Sequence, residues 1–155
     1  MSTLTTPRHR RRTVVRIAAA AAAALMGALA TFELALAAGL PWGRAAWGGG
    51  HAELGTGLRI ASLAAATIYA VAALVVLRRA GYGVWTPIPS RWVPAIVWAI
   101  AGYSALGTVL NAASRSDLER AVMTPVALCL AVLCATVAAW GRDDPGAATD
   151  DLVPD

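Results

Sequence analysis

The residues best suited to chemistry are four polar side chains that stand near one end of long apolar segments. They are Glu33, Arg59, Asn111 and Arg120. An unpaired charge is costly in an apolar environment, so we expect these groups to find one another. Glu33 is predicted to reach Arg59 or Arg120, with Asn111 as a neutral hydrogen-bond donor.

Three interpretations of this polar cluster are open. In the first, Glu33 and an arginine form a buried ion pair that fixes helix order and register, which such pairs do more often than they stabilise. In the second, two arginines face one carboxylate, and Arg44 and His51 in the following loop complete a pocket for a small anion or lipid headgroup. In the third, Glu33 relays protons, although no second acid stands deeper in the predicted bundle to receive them.

Motifs typical of enzymes and metal sites are not found in the sequence. Cys129 and Cys134 lie about 140° apart around a helix, so they share no face and form no CxxC pair. His9 and His51 stand alone in a tail and a loop, which argues against a metal or haem site. The WGGGH segment is not followed by the residues of a phosphate loop, and no nucleophile motif is present. We therefore expect a non-enzymatic protein without a cofactor or metal.

Four apolar runs must position these residues, in a chain with 58% hydrophobic and only 14% charged residues. At ~1.5 Å per residue, a run of about 20 residues crosses a hydrocarbon layer of ~30 Å, and lipid forces it into a helix. A soluble bundle would need polar helix faces, which residues 58–77 lack. The sequence predicts an all-α polytopic membrane protein, a four-helix bundle with helices over about residues 14–40, 58–78, 91–111 and 117–140.

Outside these helices, residues 1–13 form a basic tail and residues 141–155 an acidic tail, and both are predicted to be disordered. Ser116 to Glu119 fits a capping box, so the fourth helix is predicted to begin near Asp117. Pro125 then falls inside that helix and is expected to kink it.

The distribution of arginine predicts the orientation of the bundle. Nine of the 13 arginines flank the N-terminus, the second loop and the C-terminus, and four lie on the opposite side. By the positive-inside rule, both termini are predicted to be cytoplasmic, in the plasma membrane of a bacterium. The alternative is that the first segment, with its paired arginines and alanine-rich core, is a secretory signal cleaved before Thr31. The apolar run continues to Leu40, longer than a usual signal core, which favours a retained helix.

The segment GLPWGRAAWGGGHAEL, residues 39–54, joins the first two predicted helices. Pro41 is expected to end the first helix or to lie just past its end. One interpretation makes Trp42 and Trp47 interfacial anchors around a glycine-rich turn. The other makes the segment a re-entrant lid packed over the layer of Glu33 and Arg59.

The strings FELALAAGLPWGRAAWGGG, LRIAS and LVVLRRAG, with the later NAASRSDLERAVMTPV, resemble those of uncharacterised small bacterial four-helix integral membrane proteins. The similarity covers about residues 30–130. It implies a four-helix membrane fold, and it brings no known activity and no functional residues.

These observations predict a non-enzymatic integral membrane protein whose role is structural or partner-binding. Its expected partners are the lipid bilayer and either a second copy of the chain or another membrane protein, since small residues on helices favour close association. The alternative function is a carrier or binder of a small anionic solute or lipid headgroup at the polar cluster. The net charge of +4 is explained by topology, so no nucleic-acid partner is expected.

Overall fold

The computed structural model describes residues 7–47, 50, 52–117 and 119–141. Within this part of the chain, four α-helices pack as a bundle: α1 (Pro7–Ala38), α2 (Thr56–Arg79), α3 (Val93–Ala112) and α4 (Thr124–Trp140). With the helical turns that directly precede α3 and α4, each is long and apolar enough to span a membrane, over His9–Ala38, Thr56–Arg79, Ser90–Ala112 and Arg120–Trp140. The all-α, four-helix prediction is confirmed, and the chain is a multi-pass protein whose helices contact lipid.

The helices pack as two hairpins. The α1–α2 and α3–α4 pairs make the most extensive contacts, α1 also packs along α4, and α2 touches α3 much less. Small side chains allow the close approach, because Ala19 and Ala22 of α1 and Cys134 of α4 are fully buried between the helices. The bundle is consequently tightest around α1 and most open between α2 and α3.

The two ends of the bundle carry different structures. The start of α1 and the end of α4 lie together, since the guanidinium of Arg11 stands 5.6 Å from the ring centroid of Trp140. We call this the terminal end. The opposite end, which carries the α1–α2 loop (residues 39–55) and the α3–α4 turn (residues 113–119), is the distal end.

α1 begins at Pro7, earlier than the predicted start near residue 14. Proline suits the first turn of a helix, because its missing N–H has no partner there and its φ is preset. Extending α1 by a few arginine-rich residues at its N-terminus costs little free energy, because adding a residue to a formed helix is far more favourable than nucleating a new one. Residues 7–13, predicted to be disordered, are therefore helical. The rest of the basic tail and residues 142–155 of the acidic tail lie outside the described residues.

α1 ends in a Schellman motif at Gly39. Gly39 has φ +97°, and the N–H groups of Gly39 and Leu40 donate to the carbonyls of Leu36 and Ala35, both over 3.0 Å. Glycine accepts this left-handed conformation without the strain of a Cβ. Pro41 follows just past the helix end, as predicted.

The region ahead of α4 is helical from near Asp117, as predicted, but it is not regular α-helix. A π-helical turn covers Glu119–Met123, and α4 begins at Thr124 with Pro125 in its first turn. Proline has no N–H for the carbonyl of residue 121 and its ring crowds that group, so a wider turn ahead of it removes the conflict. The π turn runs directly into α4, and Arg120–Trp140 form one span, so Pro125 lies inside a continuous helix whose turn is widened ahead of the proline.

Arginines organise the terminal end. Arg78 of α2 donates to the Thr86 hydroxyl over 2.8 Å and to the Ile88 carbonyl over 2.9 Å, which holds the α2–α3 loop against its helix. The guanidinium of Arg16 lies 4.1 Å from the ring centroid of Tyr82, and the Tyr82 hydroxyl donates to the Arg16 carbonyl. These contacts brace α1 against the α2–α3 loop at this end.

Candidate functional site

Glu33 lies on α1, near the distal end, on a side of the helix that faces its neighbours. Its carboxyl group is hydrogen-bonded by the hydroxyl of Ser62 of α2, which is fully buried. The other carboxyl oxygen, Oε2, is also buried and has no hydrogen-bond partner among the described residues. A buried carboxyl oxygen without a donor is costly, so this group stands out among the polar side chains of the distal half.

Ser62 connects Glu33 to the α1–α2 loop. The indole Nε1 of Trp47 donates to the Ser62 hydroxyl over 3.2 Å. Trp47 itself has φ +54°, a left-handed conformation that bulky residues rarely adopt and that costs ~1–3 kcal/mol. The surrounding contacts must therefore hold Trp47 in place, and they form a chain of hydrogen bonds from the loop through α2 to α1.

Further contacts seat the α1–α2 loop on the bundle. The ring of Trp42 stacks on Phe32 of α1, with centroids 6.3 Å apart and planes 8° from parallel. The Gly43 N–H donates to the Ala52 carbonyl over 2.9 Å, which closes the loop on itself. The loop is thus packed onto the helices, an arrangement that favours the lid interpretation over a simple interfacial turn.

Beneath the loop, the distal half of the bundle contains a cleft of about 360 Å³. All four helices and the loop contribute to its walls. The lining residues are Leu29, Phe32, Glu33, Ala45, Ala46, Trp47, Ala65, Tyr69, Tyr103, Ser104, Gly107, Leu110, Asn111, Met123, Val126, Ala127 and Leu130. The walls are mostly apolar and aromatic, with a few polar groups, which is the usual make-up of a small-molecule site.

The polar groups of the cleft come from three helices. Tyr69 of α2 lies within electrostatic range of both Glu33 and Tyr103, so a carboxyl group and two phenols share one region. Ser104 and Asn111 of α3 add a hydroxyl and an amide to the lining. Among the described residues that line the cleft, none is an arginine, lysine or histidine, and Glu33 is the one carboxylic acid.

The cleft lies where contact between the two hairpins is sparse. α2 and α3 touch sparsely, and Tyr103, which lines the cleft from α3, is nevertheless 72% exposed. A side chain that belongs both to the lining and to the bundle surface marks an opening. Because the spans face lipid, we expect this opening to face the bilayer.

The structure places the two predicted arginine partners away from Glu33. Arg59 donates from Nε to the Ala37 carbonyl over 2.8 Å, and its guanidinium lies against Gly39. Arg120 pairs with Asp117 and donates to the Ser114 carbonyl over 2.9 Å. Neither makes an ion pair with Glu33 among the described residues. Arg59 instead satisfies a carbonyl at the C-terminus of α1, where a cation is favoured.

The remaining predicted residues divide between the cleft and the loop. Asn111 lines the cleft together with Glu33. Arg44 is exposed in the loop, and its carbonyl accepts a hydrogen bond from the Ser116 hydroxyl over 3.4 Å, which ties the loop to the α3–α4 turn. His51 lies outside the described residues.

Sequence reasoning did not assign Ser62, Tyr69, Tyr103 or Ser104 to the site. A signal for them exists, because Ser62 and Tyr69 are seven residues apart in one apolar helix, as are Ser104 and Asn111 in another. Two helical turns bring such pairs to the same face. Polar pairs at this spacing predict a face turned away from lipid.

No group of three or more His, Cys, Asp or Glu side chains converges within the described residues. No protein-family model, no curated protein and no solved structure matches this chain. The four-span architecture therefore rests on the helices themselves, and the family resemblance stays a prediction.

Proposed function

We propose that this chain is a non-enzymatic membrane protein that binds a small, largely apolar molecule in the distal cleft. The observation that carries the proposal is the cleft itself, about 360 Å³ with walls from all four helices. This volume lies at the lower end of the ~300–1,000 Å³ that small-molecule sites occupy, and such sites are common between the helices of bundles. A molecule with a single ring and a short substituent suits the space.

The contacts of Glu33 support a binding role over a purely structural one. An ion-pair staple needs an arginine on the carboxylate, and Arg59 and Arg120 both have other partners. Ser62 supplies a neutral hydrogen bond to one side of the carboxyl group, and the Oε2 atom keeps its capacity to accept. A site that holds a polar acceptor ready in apolar surroundings is built to recognise a donor.

We further propose that the protein lies in the bacterial plasma membrane with both termini in the cytoplasm, so that the distal cleft belongs to the outer half of the bilayer. The support is the excess of arginine on the terminal side, nine residues against four. Ligands would then reach the cleft from the outer leaflet or from the exterior.

The proposal is tested with three small benzene derivatives of similar size: neopentylbenzene, which is neutral, benzyltrimethylammonium, a cation, and phenylacetate, an anion. Binding to the full chain in dodecyl maltoside micelles is followed by saturation-transfer NMR. Ala65→Phe fills the cleft from α2, and Ala64→Phe places the same ring on the exposed side of that helix. We expect at least one compound to lose binding in Ala65→Phe alone.

A result in which neither substitution changes the binding of any compound would overturn the proposal. Both variants must remain folded for the comparison, which size-exclusion chromatography and far-UV circular dichroism establish. Because the substituted positions are adjacent on the same helix, a general effect of an added ring on folding would affect both.

A further inference from the structure

We infer that the distal cleft selects an organic cation, an ammonium group joined to an apolar body, and that Glu33 together with the aromatic rings of the cleft recognises it. The inference rests on the proposed binding function and names the class of ligand. It departs from the anionic ligand that the arginines in the sequence had suggested.

The first argument is charge. Among the described residues that line the cleft, Glu33 has the one carboxyl group, and its Oε2 atom is buried without a hydrogen-bond donor. When this group is ionised, it is the one formal charge of the lining. A positively charged ligand is attracted to the ionised carboxylate, and its charge offsets the cost of burying the Oε2 atom without a hydrogen-bond donor. An anion in the same place meets a carboxylate in surroundings of low dielectric, which disfavours it.

The second argument concerns the arginines that could have neutralised Glu33. Arg59 is turned toward the C-terminal carbonyls of α1, and Arg120 toward Asp117 and the α3–α4 turn. Each therefore stabilises a helix end at the distal rim of the bundle. The carboxylate is left facing neutral groups, which is the arrangement that a cation-selective site requires.

The third argument is the ring content of the lining. Tyr69, Tyr103, Phe32 and Trp47 come from α2, α3, α1 and the loop, so the cleft has aromatic groups on several sides. The faces of aromatic rings attract cations, and clusters of such rings are used to recognise quaternary ammonium groups. A primary or tertiary ammonium would in addition donate to the carboxylate of Glu33.

The sparse contact between α2 and α3 explains how an amphipathic cation would enter. Tyr103 is both exposed and part of the lining, so the cleft is open toward the lipid-facing surface. Two sources offer this chemistry: a free organic amine dissolved in the bilayer, and the ethanolamine headgroup of a phospholipid. Both combine an ammonium group with an apolar body.

The test uses an isosteric pair. Benzyltrimethylammonium and neopentylbenzene differ by a nitrogen in place of a carbon, and therefore chiefly by charge. Dodecyl maltoside is uncharged and contains no ammonium, so the micelle itself does not favour the cation. We expect the full chain to bind the cation about tenfold or more tightly than the neutral isostere, the effect of one charge-assisted contact.

Glu33→Gln is expected to abolish this preference, and Glu33→Asp to keep it in weaker form, because the shorter side chain retains the charge. Glu53→Gln removes a carboxylate of the exposed loop surface and is expected to leave the preference unchanged. Thermal unfolding of each variant establishes that it is folded before binding is measured.

The outcomes separate the two proposals. If both isosteres bind equally well and Ala65→Phe abolishes their binding, the binding function is supported and cation selection is overturned. A preference that survives Glu33→Gln overturns the role of Glu33. If Ala65→Phe changes the binding of none of the compounds, the binding function itself is overturned.

The source of the ammonium is decided in mixed micelles. If phosphatidylethanolamine displaces benzyltrimethylammonium and phosphatidylglycerol does not, the result supports recognition of a lipid headgroup. Persistence of binding in both lipids supports a free amine as the ligand. Either result agrees with cation selection, whereas equal displacement by the two lipids contradicts it.

Discussion

The indole Nε1 of Trp47 donates a hydrogen bond to the hydroxyl of Ser62 over 3.2 Å, and the same hydroxyl bonds the carboxyl group of Glu33. One buried serine therefore links the α1–α2 loop to the acid of the cleft. Because a hydroxyl both donates and accepts, Ser62 satisfies the two neighbours together. The position of the loop and the environment of the carboxylate are thus coupled through a single side chain.

Trp47→Phe tests whether this bond holds the loop. Phenylalanine keeps a ring in the lining and loses the N–H donor, so we expect the loop to open more readily by about tenfold, the equivalent of one hydrogen bond. Hydrogen exchange of the loop amides of Gly43, Ala45 and Ala46, which bond within the loop, measures the opening. Trp85→Phe, at an exposed tryptophan of the terminal end, is the control and should leave these amides unchanged. Equal exchange in both variants would show that the bond does not hold the loop.

Ser62→Ala should destabilise the protein. The change leaves the Trp47 donor, whose hydrogen bond is partly buried, and the partly buried Glu33 carboxyl group without their shared partner, which costs ~1–3 kcal/mol in total. Thr67→Ala is the matched control, since its hydroxyl is exposed and donates only to the carbonyl of Leu63 in its own helix. The comparison is made by thermal unfolding in micelles. We expect a clearly lower midpoint for Ser62→Ala, and similar midpoints for the two variants would contradict the shared role.

A double-mutant cycle decides between the observed contacts of Glu33 and the ion pair that the sequence predicted. With Arg59 bonded to the Ala37 carbonyl, Glu33→Gln and Arg59→Gln should act independently. Their coupling free energy is then expected to stay below ~0.5 kcal/mol, the usual scatter for non-interacting sites. Free energies of unfolding in mixed micelles give the cycle. A coupling of 1 kcal/mol or more, on the order of a true charge pair, would favour the staple interpretation.

The number of helices and their apolar spans could be predicted, since lipid imposes a length and a composition on every span. The helix end near Pro41 could be predicted too, because proline and glycine mark such ends locally. The partner of Glu33 could not. It depends on the rotation and axial register of α2 against α1, and here the Arg59–Ala37 and Ser62–Glu33 contacts lie one turn apart along that interface. Ser62, one turn deeper than Arg59, contacts the Glu33 carboxyl group, where electrostatics alone predicts an arginine.

The start of α4 shows a similar limit of local reasoning. The pattern from Ser116 to Glu119 predicts a helix start, and the Ser116 hydroxyl also reaches the Arg44 carbonyl across the distal end. The π turn before Thr124 is a compromise between helix continuation and Pro125. Such compromises depend on which neighbouring groups a segment meets, and a single sequence does not specify them.

The proposed orientation is tested with alkaline phosphatase, which needs disulfide bonds and is therefore active only outside the cytoplasm. Fused after Gly50, within the α1–α2 loop, the enzyme is expected to be active. Fused after Gly141, at the end of α4, it should be inactive. The reverse pattern would place the distal cleft in the cytoplasmic half of the bilayer. Fusion after Gly83, in the α2–α3 loop, provides a second cytoplasmic position and should agree with Gly141.

Gly141 also carries a prediction about packing at the terminal end. A Cβ at this position would stand 2.5 Å from the Val137 carbonyl oxygen and 2.8 Å from the Arg79 carbonyl oxygen. Both are backbone atoms that cannot rotate away, so Gly141→Ala should force α4 and α2 apart at a cost of ~1–3 kcal/mol. Gly102→Ala is the control, because a Cβ there meets nothing within 4 Å and alanine favours the helix. The midpoint of thermal unfolding should therefore be lower for Gly141→Ala, and unchanged or higher for Gly102→Ala. Equal midpoints would mean that the end of α4 is free to move from Arg79, although that guanidinium also donates to the Ala138 carbonyl over 3.2 Å.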